Sequence, residues 1–224
     1  MFFTEMWERF GYYLMVGILF LFLTNSTGKG LPRALGADVV GTFIALVYLT
    51  PFIGGLLADR YLGYIKSIFI GGSLMAAGYL TIALPGEYTA YIAMGLIIIG
   101  NGFFKPNIST LLGNMYNRED LQPLKDNAYN IFYMGINIGA FFCNFVAAIL
   151  RNRISWQAAF SAAGIGLIIG LITLALSLKH IKQYDVKKPM QPGDTPTSKI
   201  FGTVFLPMLV FAAIGWIIPG NIFG

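Results

Sequence analysis

Very little in this sequence serves redox, metal or covalent chemistry. Its one cysteine, Cys143 in IGAFFCNFVAAIL, excludes an internal disulfide and a cysteine-based metal site, and its apolar surroundings mark it for core packing. The one histidine, His180, lies in a basic polar stretch where a solvated side chain is expected. No His/Asp/Glu cluster has metal-ligand spacing, no glycine-rich loop is shaped for phosphate, and no nucleophile sits beside a base. The chain therefore reads as a non-enzyme with no cofactor. Charge is scarce as well: Asp, Glu, Lys and Arg make up 11% of 224 residues. The net charge of +5 comes from bases scattered between apolar runs, which argues against nucleic acid as a partner.

What is abundant is hydrophobic length. Apolar residues make up 56% and aromatics 15%, too much for an ordinary soluble domain, and the chain is too long for one span. The expected fold is an all-α polytopic membrane protein. Six strong spans fall at about 4–25, 38–58, 66–84, 88–115, 127–150 and 156–178, with a further apolar segment at about 200–218. The first run carries acids at its start and no small-residue cleavage site, so it is expected to be retained rather than removed as a signal peptide. The polar stretch KHIKQYDVKKPMQPGDTPTSK has linker composition and sets the expected division: a bundle over 1–179, a cytoplasmic linker over 180–199 and an additional helix over 200–224. With the N-terminus inside, Arg60, Lys66, Arg118, Lys125, Lys179, Lys182, Lys187, Lys188 and Lys199 face inward. Lys29, Arg33, Arg151 and Arg153 then face outward, and this excess favours a cytoplasmic N-terminus in a cell membrane.

Against that apolar background, TEMWERFGYYLMVGILFLFL carries three ionisable groups. Glu5 and Glu8 are i,i+3 and Glu5 and Arg9 are i,i+4, so all three share one helix face, continued by Tyr12 and Tyr13. Ionisable groups inside a span are expensive and mark ion or proton pathways. Acids near a helix N-terminus also complement its dipole, which is the plainer alternative. Lys105 in the fourth span is harder to explain that way. At 1.5 Å per residue, Glu8 and Lys105 lie roughly 9 and 15 Å from the inner ends of their spans, a gap a lysine side chain can close. A buried acid–base pair of this kind is suited to a proton-coupled switch, because protonating the acid leaves the base seeking another partner. Tyr48 and Asn137 are polar groups on apolar helices, suited either to a cavity wall or to an interhelical hydrogen bond. Six spans also permit a three-plus-three inverted repeat in which spans one and four are equivalent.

Four segments carry a resemblance. Glu5-x-x-Glu8-Arg9-Phe10-x-Tyr12-Tyr13 resembles the ExxERFxYY signature of the proton-dependent oligopeptide transporter family, a branch of the major facilitator superfamily. GGLLADRYLG, GNGFFKPNIS and YNIFYMGINIGAF resemble that family's loop after span two, its span-four motif and its span-five signature, in the family's order. The resemblance implies the N-terminal six-helix bundle of a twelve-span carrier, with 200–218 similar to an extra helix between the bundles. It implies that Glu5, Glu8, Arg9 and Lys105 couple proton movement to alternating access, the proton being the coupling ion. It implies that Tyr12, Tyr13, Tyr48 and Asn137 line a pocket for di- and tripeptides, and that Asp59 and Arg60 latch a gating loop. Many peptide-transporting members carry arginine three residues beyond the second tyrosine, where this chain has Val16. That departure leaves room for another small solute. The expected partners are small peptides, the lipid bilayer and a C-terminal six-helix bundle, in the same longer protein or a second chain. Alone, the chain is expected not to transport. A non-transporting peptide sensor or remnant is the alternative.

Overall fold

The computed structural model describes residues 1–187 and 193–206. Six long helical segments follow one another: α1 (Phe2–Thr24), α2 (Arg33–Leu62), α3 (Tyr64–Ile82), α4 (Thr89–Met115), α5 (Lys125–Arg153) and α6 (Trp156–Leu176). A short helix, α7 (Leu178–Ile181), closes this unit, which contacts assign to Met1–Lys188. The second unit, Pro189–Gly224, shows α8 (Thr197–Ile200), continued by a wider turn over Phe201–Phe205. The expected helix over 200–218 is thus seen only at its start, and 207–218 lie outside the described residues.

Local chemistry explains the boundaries. Ser155 caps α6, its hydroxyl accepting from the Ala158 N–H at 3.1 Å. Arg151 and Arg153 sit in the last turn of α5, where cations complement the helix dipole. α2 ends at Gly63, whose φ of 84° suits a residue without a Cβ. Pro51 divides α2 into Arg33–Leu49 and Pro51–Leu57, because proline removes a backbone donor and its ring crowds the preceding turn. Five of the six long helices are long and apolar enough to cross a membrane. The sixth, α4, was expected among the strong spans, and its middle carries Asn101, Lys105, Pro106 and Asn107, which dilute its apolar character.

Packing places α1 against α5 and α6, α3 against α4 and α6, and α2 against α4. The closest approaches use glycine. A Cβ on Gly54 of α2 would lie 2.0 Å from the Gly102 carbonyl of α4, and one on Gly71 of α3 would lie 2.5 Å from the Gly100 carbonyl. Small residues at crossing points let helices meet backbone to backbone, the usual solution where lipid competes equally for apolar side chains. Leu14, Met15, Leu19, Phe104 and Phe160 fill the core, together with Cys143, as its apolar context implied. Phe141, Phe142 and Phe145 of α5 and Ile165 and Ile172 of α6 face outward, as a bilayer solvent permits.

Candidate functional site: a buried ion-pair cluster

The first three turns of α1 deliver Glu5, Glu8 and Arg9 to the bundle interior. Glu5 and Glu8 are 0% exposed and Arg9 is 7% exposed, so all three are enclosed by protein. Glu5 still lies in the first turn of α1, where an acid complements the helix dipole, but its side chain is turned into the bundle. Arg9 grips Glu8 with two nitrogens: Nη2 donates to Oε1 at 2.6 Å and Nε donates to Oε2. The same Nε stands 3.6 Å from Glu5 Oε1. Glu5 Oε1 also accepts from Lys105 Nζ, which arrives from α4 with its side chain 31% exposed. Two acids and two bases thus form one neutral cluster, the condition under which charges persist in low dielectric. Lys105 pairs with Glu5, while Arg9 holds Glu8 through two hydrogen bonds and reaches Glu5 at longer range.

Among the described residues, Glu5 Oε2 is the carboxylate oxygen of this cluster that finds no hydrogen-bond partner. The hydroxyls of Thr4 and Tyr79 are also buried without one, and Tyr79 of α3 lies within electrostatic reach of Glu8 and Arg9. In such a cluster, adding a proton to one acid unbalances the set and forces an exchange of partners.

The aromatic continuation is also in place. The Arg9 guanidinium stands 4.8 Å from the Tyr12 ring centre and 5.7 Å from that of Tyr13. Tyr12 is buried, Tyr13 is at the border of exposure, and Tyr48 is 77% exposed within electrostatic reach of Tyr12. Asn137 stands on an exposed stripe of α5 that also carries Asn130, Tyr133 and Asn144. Their spacing of three, four and seven residues puts them on one face. Asn144 approaches α1, its Oδ1 2.9 Å from where a Cβ on Gly17 would be. Of the residues singled out in the sequence, the cluster and the tyrosines therefore meet, while Asn137 faces open space from a different helix.

Asp59 and Arg60 lie apart from the cluster, half-buried in the wide turn Ala58–Leu62 that ends α2. That turn is braced by the segment after α6. Asp185 Oδ1 accepts from Tyr64 N at 2.6 Å and Ile65 N at 3.3 Å, and Lys187 Nζ donates to Tyr61 O at 2.7 Å. Arg118, in the loop before α5, has its pKa raised by a hydrogen bond with Tyr184 and by Asp120. Sequence reasoning missed Asp185, Tyr79 and Asn101. Only Asn101 carried a signal, lying four residues before Lys105 and hence on the same face.

Helices of membrane-spanning length closed around an intramembrane ion-pair cluster define a polytopic membrane protein with a built charge site. The family model of the POT family matches residues 65–209, and the chain belongs to that family. It is similar to a transporter of uncharacterised function from Bacillus subtilis strain 168, 40% identical over 80% of this chain and 37% of that protein. It is also similar to the di-/tripeptide transporter of Lactococcus lactis subsp. cremoris, 36% identical over 95% of this chain and 44% of that protein. Among solved structures, peptide transporter POT in complex with sulfate aligns at TM-score 0.80 and 33% identity, covering 100% of this chain and 46% of that one. The chain spans less than half the length of the relatives it matches, and corresponds to the N-terminal half of the transporter fold.

Proposed function

We propose that this chain supplies the N-terminal six-helix bundle of a proton-coupled symporter of di- and tripeptides working by alternating access. The observation that carries the reading is the neutral cluster of Glu5, Glu8, Arg9 and Lys105, closed by an ion pair between α1 and α4. Glu5 is the proton-accepting group: its Oε2 is unpartnered, whereas Glu8 is held through both oxygens. Protonating Glu5 releases Lys105, whose partly exposed amine then takes an acid across the cavity or the carboxylate of the peptide. Tyr12, Tyr13, Tyr48 and Asn137 line the substrate side, and Asp59 and Arg60 latch the inner ends of the helices. The bundle occupies 1–179, the linker 180–199 is cytoplasmic, and 200–224 begins an additional helix before a C-terminal bundle. The protein sits in the cell membrane with its N-terminus inside, as its distribution of Lys and Arg favours.

A rocking mechanism needs two bundles around a midplane site. The purified chain alone in liposomes is therefore expected to accumulate no labelled dipeptide under an imposed proton gradient. Joined to its C-terminal bundle it is expected to accumulate it. Accumulation by the chain alone would refute the half-carrier reading. Val16 supports a second reading, a proton-coupled carrier of another small solute, because it sets no cation one turn beyond the tyrosines. A substrate panel on the joined carrier separates the two: di- and tripeptides compete for uptake in the first case and fail to compete in the second.

A further inference from the structure

Pro51 has no backbone N–H, so the carbonyl four residues earlier, that of Val47, loses the donor an uninterrupted helix would give it. The replacement comes from another helix. Asn101 of α4 donates from Nδ2 to Val47 O at 2.9 Å. Its Oδ1 then accepts from Arg9 Nη2 at 3.4 Å. The two partners fix the orientation of the amide, since a carbonyl only accepts and a guanidinium only donates. Asn101 is 3% exposed, so bulk water does not stand in for either bond. One turn away, Thr50 Oγ1 donates to Ile98 O at 2.9 Å and keeps the same part of α2 on α4. The flanking glycines make this geometry possible: a Cβ on Gly100 would meet the Gly71 carbonyl of α3 at 2.5 Å, and one on Gly102 would meet Thr50 of α2 at 2.8 Å. Tyr48 is the residue immediately after Val47.

We propose that Asn101 is a positioning residue that ties the Arg9 ion-pair cluster to the proline break of α2, and so sets the placement of Tyr48. One amide holds both ends. When the pairing of Arg9 changes, the bond to the Val47 carbonyl carries that change to the turn that presents Tyr48. The groups that face Arg9 are Glu5, Glu8, Tyr12 and Tyr13 of α1, Lys105 of α4 through its pairing with Glu5, and Tyr79 of α3. The consequence for transport rests on the function proposed above, whereas the structural link does not.

The test uses a substitution that makes the amide redundant. Pro51→Ala returns a backbone N–H to α2 that can reach Val47 O. Uptake of a labelled dipeptide is measured across external pH in proteoliposomes of the joined carrier, for wild type, Asn101→Ala, Pro51→Ala and the double variant. Asn101→Ala is expected to lower uptake roughly tenfold, as the loss of a buried bond to a charged group implies, and to displace the pH of half-maximal uptake. In the Pro51→Ala background the same change is expected to cost markedly less, because contacting sites that share a partner do not add. A pH profile superimposable on that of wild type, or equal losses in both backgrounds, would overturn the proposal. Thermal unfolding of the four proteins supplies a readout independent of transport. The Asn101→Ala drop is expected to be several degrees and at least halved beside Pro51→Ala, and equal drops again overturn the link. If the wild-type carrier shows no gradient-driven uptake, the functional reading fails, and the unfolding cycle by itself decides for or against the link.

Discussion

Glu5 and Glu8 are one helical turn apart and equally buried, yet their surroundings give them different work. Glu8 faces a forked guanidinium that satisfies both oxygens, an arrangement that resists change. Glu5 shares its Oε1 between Lys105 and the edge of Arg9 and keeps Oε2 free. Removing Lys105 leaves the buried Glu5 carboxylate with only the more distant Arg9 as partner, a loss below the about 3–5 kcal/mol of a fully stranded buried charge. Lys105→Ala is therefore expected to unfold at clearly lower temperature than wild type, and Lys105→Ala with Glu5→Gln is expected to recover much of the loss. Unfolding curves of the three proteins check this, and an unrecovered double variant would contradict the pairing. The composition of this cluster was legible from spacing: i,i+3 and i,i+4 charges in an apolar run, and a lysine too deep to reach water easily. The choice of partner was not. Whether Lys105 meets Glu5 or Glu8 depends on the rotation of α4 about its axis, which no single-helix pattern encodes.

The helices owe their crossings to a few backbone approaches, and these separate glycines that matter from those that do not. Gly54→Ala would drive a methyl group into the Gly102 carbonyl, 2.0 Å from the built Cβ, and no flexible side chain is there to yield. It is expected to cost about 1–3 kcal/mol by forcing α2 from α4. Gly95→Ala in α4 meets nothing within 4 Å and is expected to be neutral or stabilising by up to about 1 kcal/mol, through helix propensity alone. Thermal unfolding of the two variants distinguishes them, and similar behaviour would refute the packing. At the start of α3, Asp185 caps the helix from a distant segment, and Asp185→Ala is expected to cost about 1 kcal/mol. Hydropathy located most helices to within two or three residues, because twenty apolar residues in a row have few other uses, but it cut α2 short at both ends, 38–58 against Arg33–Leu62. It overstated α4, whose polar middle is what serves the site. Asp185 lay in a segment with linker composition, and such a segment gives no periodic signal of where it docks.

At the scale of the molecule, the described bundle is a scaffold that holds one neutral charge cluster at the meeting of α1 and α4. The chain covers 44% of the Lactococcus lactis transporter and 46% of the aligned POT structure, and under the proposed function its site is one wall of a larger pocket. The exposed Tyr48, Tyr133 and Asn137 are consistent with such a wall, standing on α2 and α5 without the burial expected of packing residues. The expected orientation has its own check. A cysteine placed at Lys29 is expected to react with an impermeant thiol reagent from outside intact cells, and one at Lys187 only after lysis. The most direct measurement is gradient-driven accumulation of a labelled dipeptide by the joined carrier in proteoliposomes, wild type against Glu5→Gln. The account predicts accumulation in wild type and none in Glu5→Gln, with peptide exchange retained in both. Accumulation that survives in Glu5→Gln would contradict it.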